Sequence, residues 1–365
     1  MAMHAIDPEG DIILTLRNPT APFAVWYEDC DEKVDPPHQG QSSARSYETP
    51  ASDSDAEAAD EAADARSDDA SHSPKASPKQ EQVLPTSYEF TWSMPVKFRL
   101  SSKHLALASK YFKSLLQGPW KEGTEIHSDG CRHVEAQDWD ENAMVILMQV
   151  IHGLNRKVPR SVTLEMLAKI AVLVDYYKCH EAVMLWSDIW IDELKKIPLP
   201  TEVNRELILW ILVAYVFGKE DLFKNATKVA LPLCRGYLPT LDLPIVAVAD
   251  KFEERRQELV HREFTHMYGL LGLLRDRKAG CSFPCSAMLL GALTMRLHEQ
   301  GILDSRPEYP YTGYSITSII SMVRKFKSPY WFDVGLFDGL HPCNLSGLFD
   351  QKMNGAVDGL ELRDI

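Results

Sequence analysis

The chain has 365 residues, of which 45% are hydrophobic and 9% aromatic, and its formal net charge is −13. This length exceeds what one small core needs and favours two folded units, or one unit with tails. Residues 28–69 carry fourteen acidic and three basic side chains, a local charge of −11, so the remainder is nearly neutral. Because it has no broad cationic surface, we expect no nucleic-acid partner.

The seven cysteines are an odd number, scattered along a chain that shows no secretory leader. This pattern favours reduced thiols in an intracellular protein, either nuclear or cytoplasmic. The most apolar run, residues 207–217, is far shorter than the roughly 20 residues that a membrane-spanning helix needs. It predicts a buried helix, and we expect no membrane partner.

In chain order, the first predicted element is a strand at Asp11-Ile-Ile-Leu-Thr-Leu, which ends at the turn signal Asn18-Pro19. Residues 31–86 are rich in Ser, Ala, Asp, Glu and Pro. Because they offer little apolar surface to bury, we expect them to form a disordered acidic insertion. Alternating apolar residues predict strands again at Tyr88-Glu-Phe-Thr-Trp and Val96-Lys-Phe-Arg-Leu.

Helical periodicity follows these strands. Ser101 or Ser102 is the predicted N-cap of a first helix that ends at Gly118-Pro119. Later helices are predicted at residues 141–151, 164–177, 180–194, 202–217, 221–231, 244–274, 287–300 and 315–326. Strands followed by many helices predict an α+β domain over residues 1–195, an all-α helical domain over 196–330 and a C-terminal tail over 331–365.

Several motifs resemble the BTB/POZ fold. The run Phe98-Arg-Leu-Ser-Ser-Lys-His-Leu-Ala-Leu-Ala-Ser-Lys-Tyr-Phe resembles its strand and first helix, and Trp120-Lys-Glu-Gly resembles the loop that follows. Residues 139–153 and 167–179 resemble the third and fourth helices in the variant common among fungal proteins. The resemblance departs from the family at the insertion, since the first two strands normally form a near-contiguous hairpin. A long loop at a hairpin tip adds little closure entropy, so the departure is compatible with the fold.

This resemblance implies a non-catalytic scaffold that binds protein partners, including a second copy of itself as a homodimer. The alternative is a substrate adaptor that binds a cullin of a ubiquitin ligase, with the helical domain contacting the target. A third reading is an enzyme of unrecognised type. The sequence has no Gly-x-Ser-x-Gly nucleophile elbow and no Gly-rich phosphate loop, and we assign no catalytic residue and no organic cofactor.

One group of residues has the chemistry of metal ligands. Cys281 and Cys285 lie four residues apart, and His341 and Cys343 lie close together near the end of the chain. Three thiols and an imidazole are donors for a tetrahedral structural zinc, which would clamp the C-terminal tail onto the helical domain. The spacing is looser than in zinc knuckles, and the alternative is a set of small buried thiols.

Two serines in the acidic insertion resemble proline-directed kinase sites. Ser73 and Ser77 are each followed by Pro and then Lys. Phosphorylation would add roughly −1.5 to −2 charges at each serine, which would extend the insertion or create a docking point for a partner. The alternative is that such short matches arise by chance.

Overall fold

The structure is a computed structural model that describes residues 2–26, 94–329, 341, 343–353 and 357–365. These residues form a mixed α/β fold with a small four-stranded sheet near the N-terminus and a mostly helical remainder. The predicted acidic insertion at 31–86, the predicted strand at 88–92 and both candidate phosphorylation sites, Ser73 and Ser77, lie outside the described residues.

The sheet consists of β1 (Met3–Ala5), β2 (Ile12–Arg17), β3 (Val96–Leu100) and β4 (Arg132–Gln137), in the order β1-β3-β2-β4. β2 pairs antiparallel with β3, whereas β1 runs parallel to β3 and β4 runs parallel to β2. Alternate residues of β3 are buried, as expected for a strand with one face on the core. The strands predicted at Asp11 and Val96 are therefore confirmed, while β1 and β4 were not predicted.

The helices follow the sheet strands in the chain. Their bounds are α1 (Ser102–Ala108), α2 (Lys110–Gln117), α3 (Lys121–Thr124), α4 (Glu141–Ile151), α5 (Leu164–Tyr177), α6 (His180–Leu194), α7 (Arg205–Val216), α8 (Glu220–Ala230), α9 (Val246–Arg275), α10 (Phe283–Glu299), α11 (Ile316–Arg324) and α12 (Leu345–Met353). A short 3-10 helix, Leu362–Asp364, follows α12. None of the described helices is long and apolar enough to cross a membrane.

The first predicted helix is in fact two helices, because the chain turns at Ser109. The Ser109 hydroxyl accepts a hydrogen bond from the Phe112 N–H at 3.0 Å and donates to the Tyr177 carbonyl at 2.5 Å. This buried side chain therefore caps α2 and ties it to the end of α5. The predicted single helix missed this break, because a serine in an amphipathic pattern also fits a helix interior.

Helix α7 lies at the centre of the apolar interior. Every residue from Leu207 to Ala214 is buried, which explains why this helix is hydrophobic on all faces. It packs against α5 and α8. The predicted division into two domains at residue 195 stays a prediction. Helices α5 and α7 lie before and after this residue in the chain and pack against each other.

Candidate metal centre and exposed sheet edge

Two segments of the chain supply a cluster of four candidate metal ligands. Cys281 precedes α10 and Cys285 lies in its first turn, where Ser282 caps the helix by accepting from the Cys285 N–H. His341 and Cys343 lie just before α12. Because α10 and α12 both pack against α9, Cys285 and His341 meet although they are 56 residues apart in the chain.

The four side chains converge closely enough to share one ion. The Cys281 Sγ lies 3.0 Å from the His341 Nε2, and the Cys285 Sγ lies 4.0 Å from the Nδ1. The candidate ligand atoms of these residues and Cys343 all lie within 4.8 Å of one another. Bonds of about 2.3 Å to sulfur and 2.0 Å to nitrogen place the ligands of a tetrahedral zinc with three sulfurs and one nitrogen roughly 3.5–3.8 Å apart, so small side-chain rotations suffice.

The cluster is buried on one side and open on the other. Cys285 and His341 are buried, Cys343 is half-buried and Cys281 is exposed. Burial, together with the neighbouring thiols of Cys285 and Cys281, raises the pKa of the Cys343 thiol to about 11. Thiolates at these positions would therefore repel one another, and a divalent cation between them would offset this repulsion.

The His341 ring contacts the backbone as well as the thiols. Its Nδ1 accepts a hydrogen bond from the Cys343 N–H at 3.2 Å. Both ring nitrogens therefore lie among polar groups of the cluster, and metal binding would replace these hydrogen bonds and release protons. The four residues could hold a metal ion, as the sequence motif predicted.

Three other cysteines of the described residues lie outside this cluster. Cys131, Cys179 and Cys234 are buried at separate places in the described part of the chain. Burial alone raises the pKa of Cys179 to about 12, which is the behaviour of an isolated core thiol. The alternative of small buried thiols therefore describes these cysteines rather than the cluster.

A second candidate site lies at the outer edge of β4, where the described sheet ends. The N–H groups of Arg132 and Asp138 donate to the carbonyls of Asp11 and Arg17, each at 3.0 Å. Because strand residues alternate, the N–H and C=O groups of Glu135 and its alternate neighbours point away from β2. Among the described residues, no backbone group pairs with this outer side.

A groove of about 490 Å³ runs along that edge and has an aromatic wall. Tyr176 lies between Tyr111 and Trp139, with ring centroids 5.3 and 5.1 Å away. Tyr176 is exposed, and the other two rings are half-buried. The sequence analysis missed this groove, because its wall comes from three separate segments and no local spacing marks their meeting.

Comparison with known proteins provides no family for this chain. No protein-family model matches it. A search of curated proteins also found no match.

Proposed function

We propose that the protein is a non-catalytic interaction module of the BTB/POZ type. The observation that carries this proposal is the antiparallel pairing of β2 with β3, although residues 18–95 separate them in the chain. The resemblance requires these two strands to be hairpin partners. Without that pairing, a long insertion between them would argue against the family.

The order of the remaining elements supports the same proposal. The strand β3 leads directly into α1 and α2, and the predicted third and fourth family helices correspond to α4 and α5. Helix α6 follows α5 and contains Trp186 and Trp190, which resemble residues of the next helix of the family. The central strands and these helices share one apolar core, which suits a rigid scaffold for partners.

The test is the mass of the full chain by light scattering over a wide concentration range. We expect a dimer at the higher concentrations, and we expect it also in a variant lacking residues 32–82. A stoichiometric cullin in complexes purified from the source cells would instead support the adaptor function. A chain that stays monomeric and purifies without any partner would contradict both functions.

We also propose that the cluster of Cys281, Cys285, His341 and Cys343 holds a structural zinc ion. The donor set carries this proposal, because three thiolates and one imidazole are typical of structural zinc and fill all four positions. A closed site of this kind leaves no position for a substrate. The ion would hold the segment before α12 against the start of α10.

Metal analysis of protein purified without chelators or a histidine tag tests the zinc site. We expect one zinc per chain in the natural protein and a loss of most of it in Cys285→Ala. The matched control is Cys179→Ala, which removes a buried thiol that does not belong to the cluster and should retain the zinc. Absence of zinc from the natural protein, or equal retention in both variants, would rule the site out.

A further inference from the structure

We infer that Cys281 and Cys343 are an oxidisable pair, which a peroxide converts into a disulfide between the start of α10 and the segment before α12. The inference rests on the proposed zinc site, since both sulfurs belong to it, and it names a chemical modification of that site. Three features of the described residues carry it: the distances between the sulfurs, their unequal exposure and the place of each cysteine in the chain.

The sulfurs of the cluster lie close enough to react with one another. The candidate ligand atoms of Cys281, Cys285, His341 and Cys343 all lie within 4.8 Å of one another. The three cysteines are free thiols, and a disulfide places its two sulfurs about 2.05 Å apart. Each pair of sulfurs therefore has to approach by less than about 3 Å, a distance that rotation of two side chains can cover.

The three thiols differ in how far solvent reaches them. Cys281 is exposed, Cys343 is half-buried and Cys285 is fully buried. The backbone of Gly280 covers Cys285, because a Cβ added at Gly280 would lie 3.2 Å from the Cys285 Sγ. The His341 Nδ1 lies 4.0 Å from the same sulfur. A small oxidant in solution therefore reaches Cys281 first.

The places of the cysteines in the chain select Cys343 as the partner of Cys281. Neither residue lies in a helix or strand, since Cys281 precedes α10 and Cys343 precedes α12. Cys285 lies in the first turn of α10, where its N–H donates to the Ser282 hydroxyl. A disulfide requires a specific dihedral angle between its sulfurs. It therefore forms more readily between two cysteines outside helices than with one that a helical turn holds in place.

The reaction is a two-electron oxidation of the two sulfurs. A cysteine sulfur that binds zinc is a thiolate. The Cys281 thiolate attacks hydrogen peroxide, breaks its O–O bond and becomes a sulfenic acid, while hydroxide leaves. The Cys343 thiolate then attacks the sulfenic sulfur, forms the S–S bond and expels a second hydroxide. Two protons from solvent convert the two hydroxides into two waters, so one peroxide is reduced for each disulfide.

The disulfide would replace a metal clamp by a covalent one. It removes two of the four candidate zinc ligands and leaves only Cys285 and His341, which are too few for a structural site. The new bond still joins the start of α10 to the segment before α12. Peroxide should therefore release the zinc and leave the hydrogen exchange of α12 slow, whereas a chelator should make that exchange faster.

Peptide mapping of the natural full chain tests the pair without any substitution. The protein as purified is treated with hydrogen peroxide, its remaining thiols are alkylated, and trypsin is added without a reductant. Cys281 and Cys285 share the tryptic peptide 279–296, and Cys343 lies in the peptide 328–352. We expect these two peptides to be joined, with the alkyl label on Cys285 and about one zinc released for each disulfide. Dithiothreitol should separate the peptides and allow zinc to bind again.

Two variants serve as controls for the mapping. Cys343→Ser removes the second sulfur of the pair, so peroxide should take Cys281 on to the sulfinic acid and leave the two peptides separate. Cys179→Ala removes a buried thiol outside the cluster and should give the same joined peptides as the natural chain.

The outcomes separate this inference from the proposed zinc site. Zinc in the natural protein without a disulfide after peroxide, or with a disulfide that includes Cys285, would overturn the inference and leave the zinc site standing. A natural chain that holds no zinc but joins Cys281 to Cys343 would overturn the zinc site and support the oxidisable pair. Hydrogen exchange in α12 that rises equally after peroxide and after chelation would overturn the covalent clamp.

Discussion

Two parts of the described fold share one apolar core but differ in the polar groups that are buried with it. We define the sheet region as β1–β4 with α4, α5 and α7, and the C-terminal region as α9–α12. The interior of the sheet region is aliphatic and aromatic, with α7 buried on all faces. In the described chain, the buried Arg, Glu and His side chains all lie in the C-terminal region, and they are Arg256, Glu263 and His341.

Buried polar and buried apolar contacts respond differently to substitution. Apolar contacts have no preferred direction, and their loss scales with the volume removed. Buried polar contacts are directional, and removal of one partner leaves the other unsatisfied. We therefore expect the C-terminal region to depend on a few residues, and the sheet region to depend on many.

Arg256→Ala is the change with the largest expected effect. The fully buried guanidinium donates to Glu253 at 2.6 and 2.7 Å, and to the carbonyls of Pro310 and Tyr314 at 2.7 and 2.9 Å. Its removal leaves the Glu253 carboxylate without its cation, although the Gln257 amide still donates to it, and removes a donor from the carbonyls of Pro310 and Tyr314. We therefore expect a loss of about 3–5 kcal/mol in the free energy of unfolding. Urea unfolding followed by circular dichroism measures this loss.

The neighbouring Arg255 is the matched control for this prediction. It pairs with Glu258 at 2.9 Å, but both side chains are exposed. Arg255→Ala should therefore change the free energy of unfolding by less than about 1 kcal/mol. Similar losses in the two variants would mean that Arg256 does not hold the loop before α11.

Ile211→Ala tests how far the apolar core transmits the loss of one side chain. Ile211 is fully buried in α7, and truncation of such a side chain costs about 2–5 kcal/mol because it leaves a cavity. Hydrogen exchange should rise in both regions together, since the core is shared. Leu185→Ala on α6 is the control, because that side chain is 68% exposed and should matter little. Exchange that rises only around α7 would contradict a shared core.

The elements that pack into the apolar core are the ones that the sequence could predict. The strands β2 and β3 and the helices α4–α7 have clear periodic or continuous apolar patterns, and all of them were predicted. In β4 only Val134 and Ala136 are apolar and only Val134 is buried, so the alternation is too short to mark a strand. β1 is too short to show any pattern.

The ligand cluster was predictable in its residue types but not in its geometry. Cysteine and histidine are recognisable in a sequence as metal ligands. Whether they come close together depends on how α10 and α12 pack against α9. The aromatic groove, in contrast, could not be predicted from its residue types. Its residues are ordinary core types, and only the fold makes them a surface.

Removal of the proposed zinc should loosen one part of the molecule. A chelator should increase hydrogen exchange in α12 and in the first turn of α10, because the ion would join these two segments. Amides of β2 and β3 should keep their protection, since apolar packing holds them. The chelated natural protein should match untreated Cys285→Ala. Equal loosening of the sheet would contradict a local role for the metal.

Glu165→Gln should have the smallest effect, because it changes a polar contact at the rim of the sheet region. Glu165 lies 3.0 Å from both Lys169 and Arg205 and is 44% exposed. The hydrogen bond from Lys169, assisted by Arg205, lowers the pKa of this carboxyl below its ordinary value of 4.5. Solvent screening limits the loss to less than about 1 kcal/mol at pH 7.

The pH dependence of Glu165→Gln distinguishes loss of this charge from a general disturbance of α5. Because its pKa is lower in the folded protein, the carboxyl stabilises the fold fully above pH 4.5 and loses this contribution as the pH falls further. The difference between the natural protein and the variant in urea unfolding should therefore shrink below pH 4.5. Glu206→Gln, at an exposed position in the first turn of α7, is the control for replacing a carboxylate by an amide on a neighbouring helix. A difference that stays constant down to low pH would mean that the charge of Glu165 contributes nothing.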